Sequence, residues 1–183
     1  MSQLITSIIA IMVTLSVTAH CDCLVPGNNN SLTLNRDDFL AVFSDSVAPD
    51  LDDNFAALNQ AISLLKVSFT RTQLAAFLGT IRSNTEYLRR HRARCADTDS
   101  CPVQYDQICS NNRNMNDGRH FYPRSALMIS YQCNYADLDA VLRSTLPCLR
   151  SIESEPDLLS DRLLYSYLAS VAAWINTECM SLT

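Results

Sequence analysis

Glycine and lysine are the scarce residues of this chain: three glycines, Gly27, Gly79 and Gly118, and a single lysine, Lys66, in 183 residues. So little glycine cannot supply the repeated tight turns of a small β-sandwich or barrel, which leaves an all-α fold as the expectation. With one lysine among fourteen Lys and Arg residues, the cationic surface consists almost entirely of guanidinium groups, planar, permanently charged and suited to bidentate pairing. An excess of positive charge is also missing. The net charge of −5 argues against nucleic acid or an anionic membrane as a partner, since both need a basic surface to neutralise phosphates.

The motifs of catalysis are absent as well. There is no G-x-S-x-G elbow, H-E-x-x-H pair, phosphate-cradling glycine loop or twelve-residue calcium loop. No C-x-x-C pair occurs and the three histidines lack zinc-type spacing, so neither a metal nor a cofactor is expected. His20 stands at the expected processed terminus, while His91, inside an arginine run, and His120, beside Arg119 and Phe121, read as exposed residues of a helix end and a loop. Asp37/Asp38 and Asp52/Asp53 fall in the first turns of expected helices, where they compensate the dipole. Asp97 and Asp99 read as solvated loop acids. The chain is therefore expected to do no chemistry of its own.

What the chain does have begins with Leu4 to Val17, an uncharged apolar run followed by the small-residue site Val17-Thr18-Ala19. Residues 1–19 read as a secretory signal peptide, too short for a span of roughly 20 residues, so the mature chain 20–183 is expected outside the cell with no membrane attachment. Its eight cysteines, Cys21, Cys23, Cys95, Cys101, Cys109, Cys133, Cys148 and Cys179, would then be disulfide-bonded. The spacing leaves the pairing open, except that Cys21 and Cys23 are too close to bond to each other without strain. Asn29-Asn30-Ser31 is an acceptor sequon that makes Asn29 a glycosylation candidate.

Apolar periodicity predicts a single domain of five or six helices with one long irregular loop region. Leu51, Phe55, Leu58, Ile62 and Leu65 form one stripe, predicting a helix over 51–66 behind Asp50, Asp52 and Asp53. A second helix is predicted from a Thr70 or Thr72 cap, through Leu74, Leu78, Ile81 and Leu88, to an end marked by Arg89, Arg90, Arg92 and Arg94. Leu138, Val141, Leu142, Leu149 and Ile152 continue the pattern across Pro147, which should kink or restart the helix. The final helix is predicted over 156–178, capped by Ser154. Shorter helices are predicted over 36–46 and 123–135. The polar stretch between Arg94 and Pro123, holding Cys95, Cys101 and Cys109, is the expected stapled loop, with a short helix over 101–109 turning Tyr105 and Ile108 inward.

The arginine cluster Arg89-Arg90-His91-Arg92, with Arg82 and Arg94, has three readings: a helix end, a basic processing site, or a patch for sulfated glycans. Tyr165, Tyr167 and Trp174 on the final helix read as core, with a binding face as the alternative. In general class the architecture resembles secreted helical ligands such as cytokine-type bundles, a likeness of helices and crosslinks that implies a protein partner or receptor. The resulting expectation is a secreted, non-enzymatic binding protein, a signalling or interaction ligand. The alternatives are a structural protein of extracellular matrix or a mineralised layer, and a carrier of a small apolar ligand. Oligomeric state and partner identity are open at this level.

Overall fold

The computed structural model describes residues 34–45, 48, 50–102, 105 and 118–181, with side chains of the last helix through 176. The expected leader over 1–19, Cys21, Cys23, Asn29 and Cys109 lie outside the described residues, as does the side chain of Cys179. Six α-helices and no strands occur among the described residues: α1 Arg36–Val42, α2 Leu51–Leu64, α3 Arg71–Asn84, α4 Gln132–Thr145, α5 Leu158–Asp161 and α6 Leu163–Ser181. The all-α class expected from the scarcity of glycine is what is found. None of these helices is long and apolar enough to cross a membrane.

The core lies where α2 packs along α6, the most extensive helix pairing in the fold. Leu58 and Ile62 of the predicted stripe are buried, while Leu51, Phe55 and Leu65 are half-buried against the core. A second buried set, Asn54, Ala57, Ala61 and Leu64, widens the contact face. Asn54 belongs there because the hydroxyl of Tyr167 donates to its Oδ1 at 2.7 Å, so neither buried polar group is left without a partner. Tyr167 is fully buried, its hydroxyl pKa pushed up by desolvation, and is part of the core. Trp174 is half-buried, its ring tilted against Phe77 at 5.4 Å.

The helix starts follow local chemistry. Asn35 caps α1 by accepting from the Asp37 amide, and the Phe39 ring then packs against both Phe43 and Phe55. Thr70 and Gln73 form a capping box at the start of α3, as the Thr70 cap implied. The helix ends differ from the expectations more than the starts do. α1 stops at Val42 rather than running on to 46, with Phe43 turned into the core. α4 stops at Thr145, two residues before Pro147, and Leu149 and Ile152 are buried from an irregular segment. Val141, assigned to the same stripe, is exposed.

Three expected helices need correction. The one placed over 123–135 begins only at Gln132; residues 123–131 instead form a tight loop in which Arg124 and Ile129 exchange backbone hydrogen bonds of 3.0 and 2.7 Å, with Ser125 and Met128 at positive φ. The final helix starts at Leu158, not Pro156, and no Ser154 side-chain cap is made; it is broken at Arg162, whose extended backbone separates α5 from α6. The helix expected to end in the arginine cluster stops at Asn84, and Glu86, Tyr87 and Leu88 follow with φ of 50°, 63° and 67°. The Thr85 hydroxyl donates to the Ile81 carbonyl and accepts from the Leu88 amide, which reverses the chain and buries Leu88.

Cys95 and Cys101 are bonded across the short 3₁₀ turn Arg94–Asp97, and Cys133 and Cys148 are also in disulfides.

Candidate functional site

One side of the molecule is built from irregular chain, residues 85–102, 119–131 and 146–157, laid against α4 and α6. Arg124 sits at its centre. Its side chain is 3% exposed, whereas that of its ion-pair partner Asp157 is 66% exposed, so the guanidinium is the buried member of a pair that opens to solvent. The guanidinium donates through Nε and Nη2 to Asp157 Oδ1 at 2.9 and 2.7 Å, and through Nη1 to the His120 carbonyl at 2.6 Å and the Tyr135 hydroxyl at 3.3 Å. It also lies flat on the Tyr122 ring, 3.5 Å from the centroid. Burial works against the charge of Arg124, and the oxygens around it, that of Tyr135 first, outweigh burial and raise its pKa. Desolvation likewise pushes the Tyr135 hydroxyl up to about 12. Both groups stay protonated, which suits a structural donor cluster and gives no general base.

Beyond Asp157 opens a cleft of about 910 Å³. It is lined by Cys101 and Tyr105, by Arg119, His120 and Tyr122, and by Arg150, Glu155, Asp161 and Arg162. Arg150 pairs with Glu155 and Arg119 donates to the Glu153 carbonyl at 2.8 Å. The break at Arg162 puts Asp161 and Arg162 on this rim, both exposed. The lining is polar and of mixed charge. His120 is exposed here, as its loop position suggested.

His91 is a correction. It is tucked beneath the arginine run, not exposed at a helix end: Nδ1 lies 2.9 Å from the Ser166 hydroxyl, the ring meets Tyr167 edge-on at 5.9 Å, and Nε2 is buried without a hydrogen bond. Its carbonyl accepts from the Ser125 amide at 2.8 Å. Desolvation pushes its pKa down to about 4, so it is neutral at pH 7. Ser166 is fully buried beside it, so the pair cannot reach a substrate.

The four arginines named from sequence come together in space, but as a charge network. Arg90 pairs with Asp97 and, at 3.7 Å, with Glu86; Arg92 pairs with Asp97 at 3.0 Å; Arg94 holds both oxygens of Glu86 at 2.7 Å. Hydrogen bonds from Arg94 hold the Glu86 carboxyl below the usual range, and those from Arg90 do the same for Asp97. Arg89 is exposed and makes no ion pair among the described residues. The run is pinned as backbone too: the Arg90 amide donates to Thr85, the Ala93 amide to Pro123, and Arg92 bridges to Arg124.

Sequence reasoning missed Arg124 and Asp157, which carry no motif; the one available signal was an arginine directly after Tyr122-Pro123 with no acidic residue between Gly118 and Ser130 to pair with it. Among the described residues no group of three His, Cys, Asp or Glu side chains is placed to hold a metal ion. No protein-family model and no curated protein matches this chain.

Proposed function

We propose that this chain is an exported binding protein without catalytic activity, which holds a protein partner in the polar cleft between the Cys95–Cys101 turn and the α5–α6 break. The observation that carries the reading is the lining of that cleft: exposed Asp161, Arg162, Glu155 and Arg150 together with the buried, ion-paired Arg124. Charges of both signs on a fixed frame select a partner by complementarity and orient it, which is how polar interfaces obtain specificity. The bonded cysteines suit an oxidising compartment. A carrier of apolar ligands would need an apolar chamber, and the walls of this cleft are charged.

The test uses the full chain expressed in secretory cells. The expected product is found in the medium with its amino terminus at His20 and no free thiols. Labelled, it binds saturably to the surface of responsive cells, and the charge-reversed pair Asp161→Arg with Arg162→Glu loses that binding while keeping the same helical spectrum. Retention in the cytosol with free thiols, or saturable binding unchanged by the reversed pair, would refute the proposal.

A further inference from the structure

We propose that the left-handed turn Glu86–Leu88 and the arginines around it form a second site, separate from the cleft, which binds a sulfated oligosaccharide. The first observation is the backbone. Three successive non-glycine residues at φ of 50° to 67° form a left-handed turn, which L side chains disfavour, and such strain persists only where the surroundings enforce it. Burial of Leu88 accounts for one of the three positions. Tyr87 is 39% exposed, so core packing does not account for its placement; what its ring does is support the guanidinium of Arg82, 4.5 Å from its centroid.

The second observation is charge. Arg82, Arg89, Arg90, Arg92 and Arg94 crowd here, with Asp45, Glu86 and Asp97 as their paired acids among the described residues, a local positive excess on a chain whose net charge is −5. The members of the existing pairs are each at least about one-third exposed and screened by water, so a denser anion can exchange into them. Arg89 is already open to take one.

The third observation is shape. Three arginines, Arg82, Arg89 and Arg94, with Tyr87 and one carboxylate, Glu86, rim a shallow recess of about 640 Å³ over the α3 backbone at Gly79, where an added Cβ would meet nothing within 4 Å. Arginines spread around a recess match several anions along one chain better than a single phosphate, which needs converging donors. Sulfate half-esters keep their charge at any physiological pH and suit the weakly hydrated guanidinium fork. A sugar ring can lie across exposed Tyr87, whose flat face is apolar. Meeting such a glycan in the body depends on the export reading, but binding in solution does not.

The experiment measures binding of a heparin-derived hexasaccharide to the full chain with its disulfides intact, by calorimetry at physiological salt. A fully desulfated hexasaccharide and polyglutamate serve as comparisons. Arg89→Glu removes an unpaired cation, and Gly79→Glu puts a carboxylate over the recess at a helical position where glycine is the poorer helix former. The wild type is expected to bind the sulfated sugar, with affinity falling as salt rises; each variant is expected to lose about tenfold or more while its thermal unfolding is not lowered. Equal binding of desulfated sugar, tighter binding of polyglutamate, or wild-type affinity in both variants would overturn the proposal.

Discussion

The two sides of this molecule are held together by different physics. Along α2 and α6 the contact is apolar and periodic: Leu58, Ile62, Leu168 and Val171 are buried, with one polar pair, Asn54 and Tyr167, satisfying itself. Across the described residues of 85–102 and 119–157 apolar side chains such as Leu88, Phe121, Ile129 and Leu142 are buried as well, but a network of buried polar groups accompanies them. There Arg124, Ser125, Gln132 and Asp139 are buried and hydrogen-bonded, and α6 meets them with buried Ser166 and Ser170; the Asp139 carboxylate accepts from the Ile152 amide at 2.7 Å and the Ser170 hydroxyl from the Leu127 amide at 3.1 Å. An apolar contact tolerates loss of one methyl group in proportion to the area lost, whereas a polar network loses the desolvation cost of every group left without a partner. The polar side is thus the side on which a specific surface is fixed.

The largest effect should come from the apolar side. Leu58→Ala leaves a cavity between α2 and α6 and is expected to cost about 3–4 kcal/mol in urea unfolding. A loss below about 1 kcal/mol would mean that this helix pair is not the core.

Next comes acid. His91 has a folded pKa of about 4 against an ordinary value of 6.5, so the unfolded chain takes up the proton first. Its contribution is fully present above pH 6.5 and is lost as the pH falls towards 4, with up to about 3 kcal/mol at stake. His91→Gln should flatten stability against pH across that window, as followed by urea midpoints at pH 7.5 and 4.5. An unchanged slope would place His91 in solvent.

Arg124→Ala is expected to cost about 2–3 kcal/mol, since the His120 and Tyr122 carbonyls lose a donor while exposed Asp157 is rehydrated. Arg124→Lys should recover little, because an ammonium cannot span Asp157, His120 and the Tyr122 face at once. The smallest effect is Thr70→Ala, which removes the cap of α3 for about 1 kcal/mol.

This division also explains what could be read from the sequence. The apolar side was legible because its residues repeat at helical spacing and its α3 start carries a cap. The polar side was not. Ala126, Leu127, Met128 and Ile129 are apolar enough to suggest a helix, yet Ser125 and Met128 turn left-handed so that Arg124 can bond to Ile129. Glu86, Tyr87 and Leu88 carry no glycine to announce a left-handed turn. The break at Arg162 is hidden because Leu158, Leu159, Leu163 and Leu164 continue the apolar pattern across it without proline or glycine. The arginine cluster was visible as charge, but its carboxylate partners and the burial of His91 depend on contacts with Asp97 and Ser166 made only in the folded chain.

Native-state hydrogen exchange with and without a disulfide reductant tests the two-sided account most directly. Reduction should raise exchange at amides of 85–102 and 119–131, while α2 and the first turns of α6 remain protected. Loss of protection in all these regions together, at one rate, would show that a single cooperative unit holds both sides and would contradict the account.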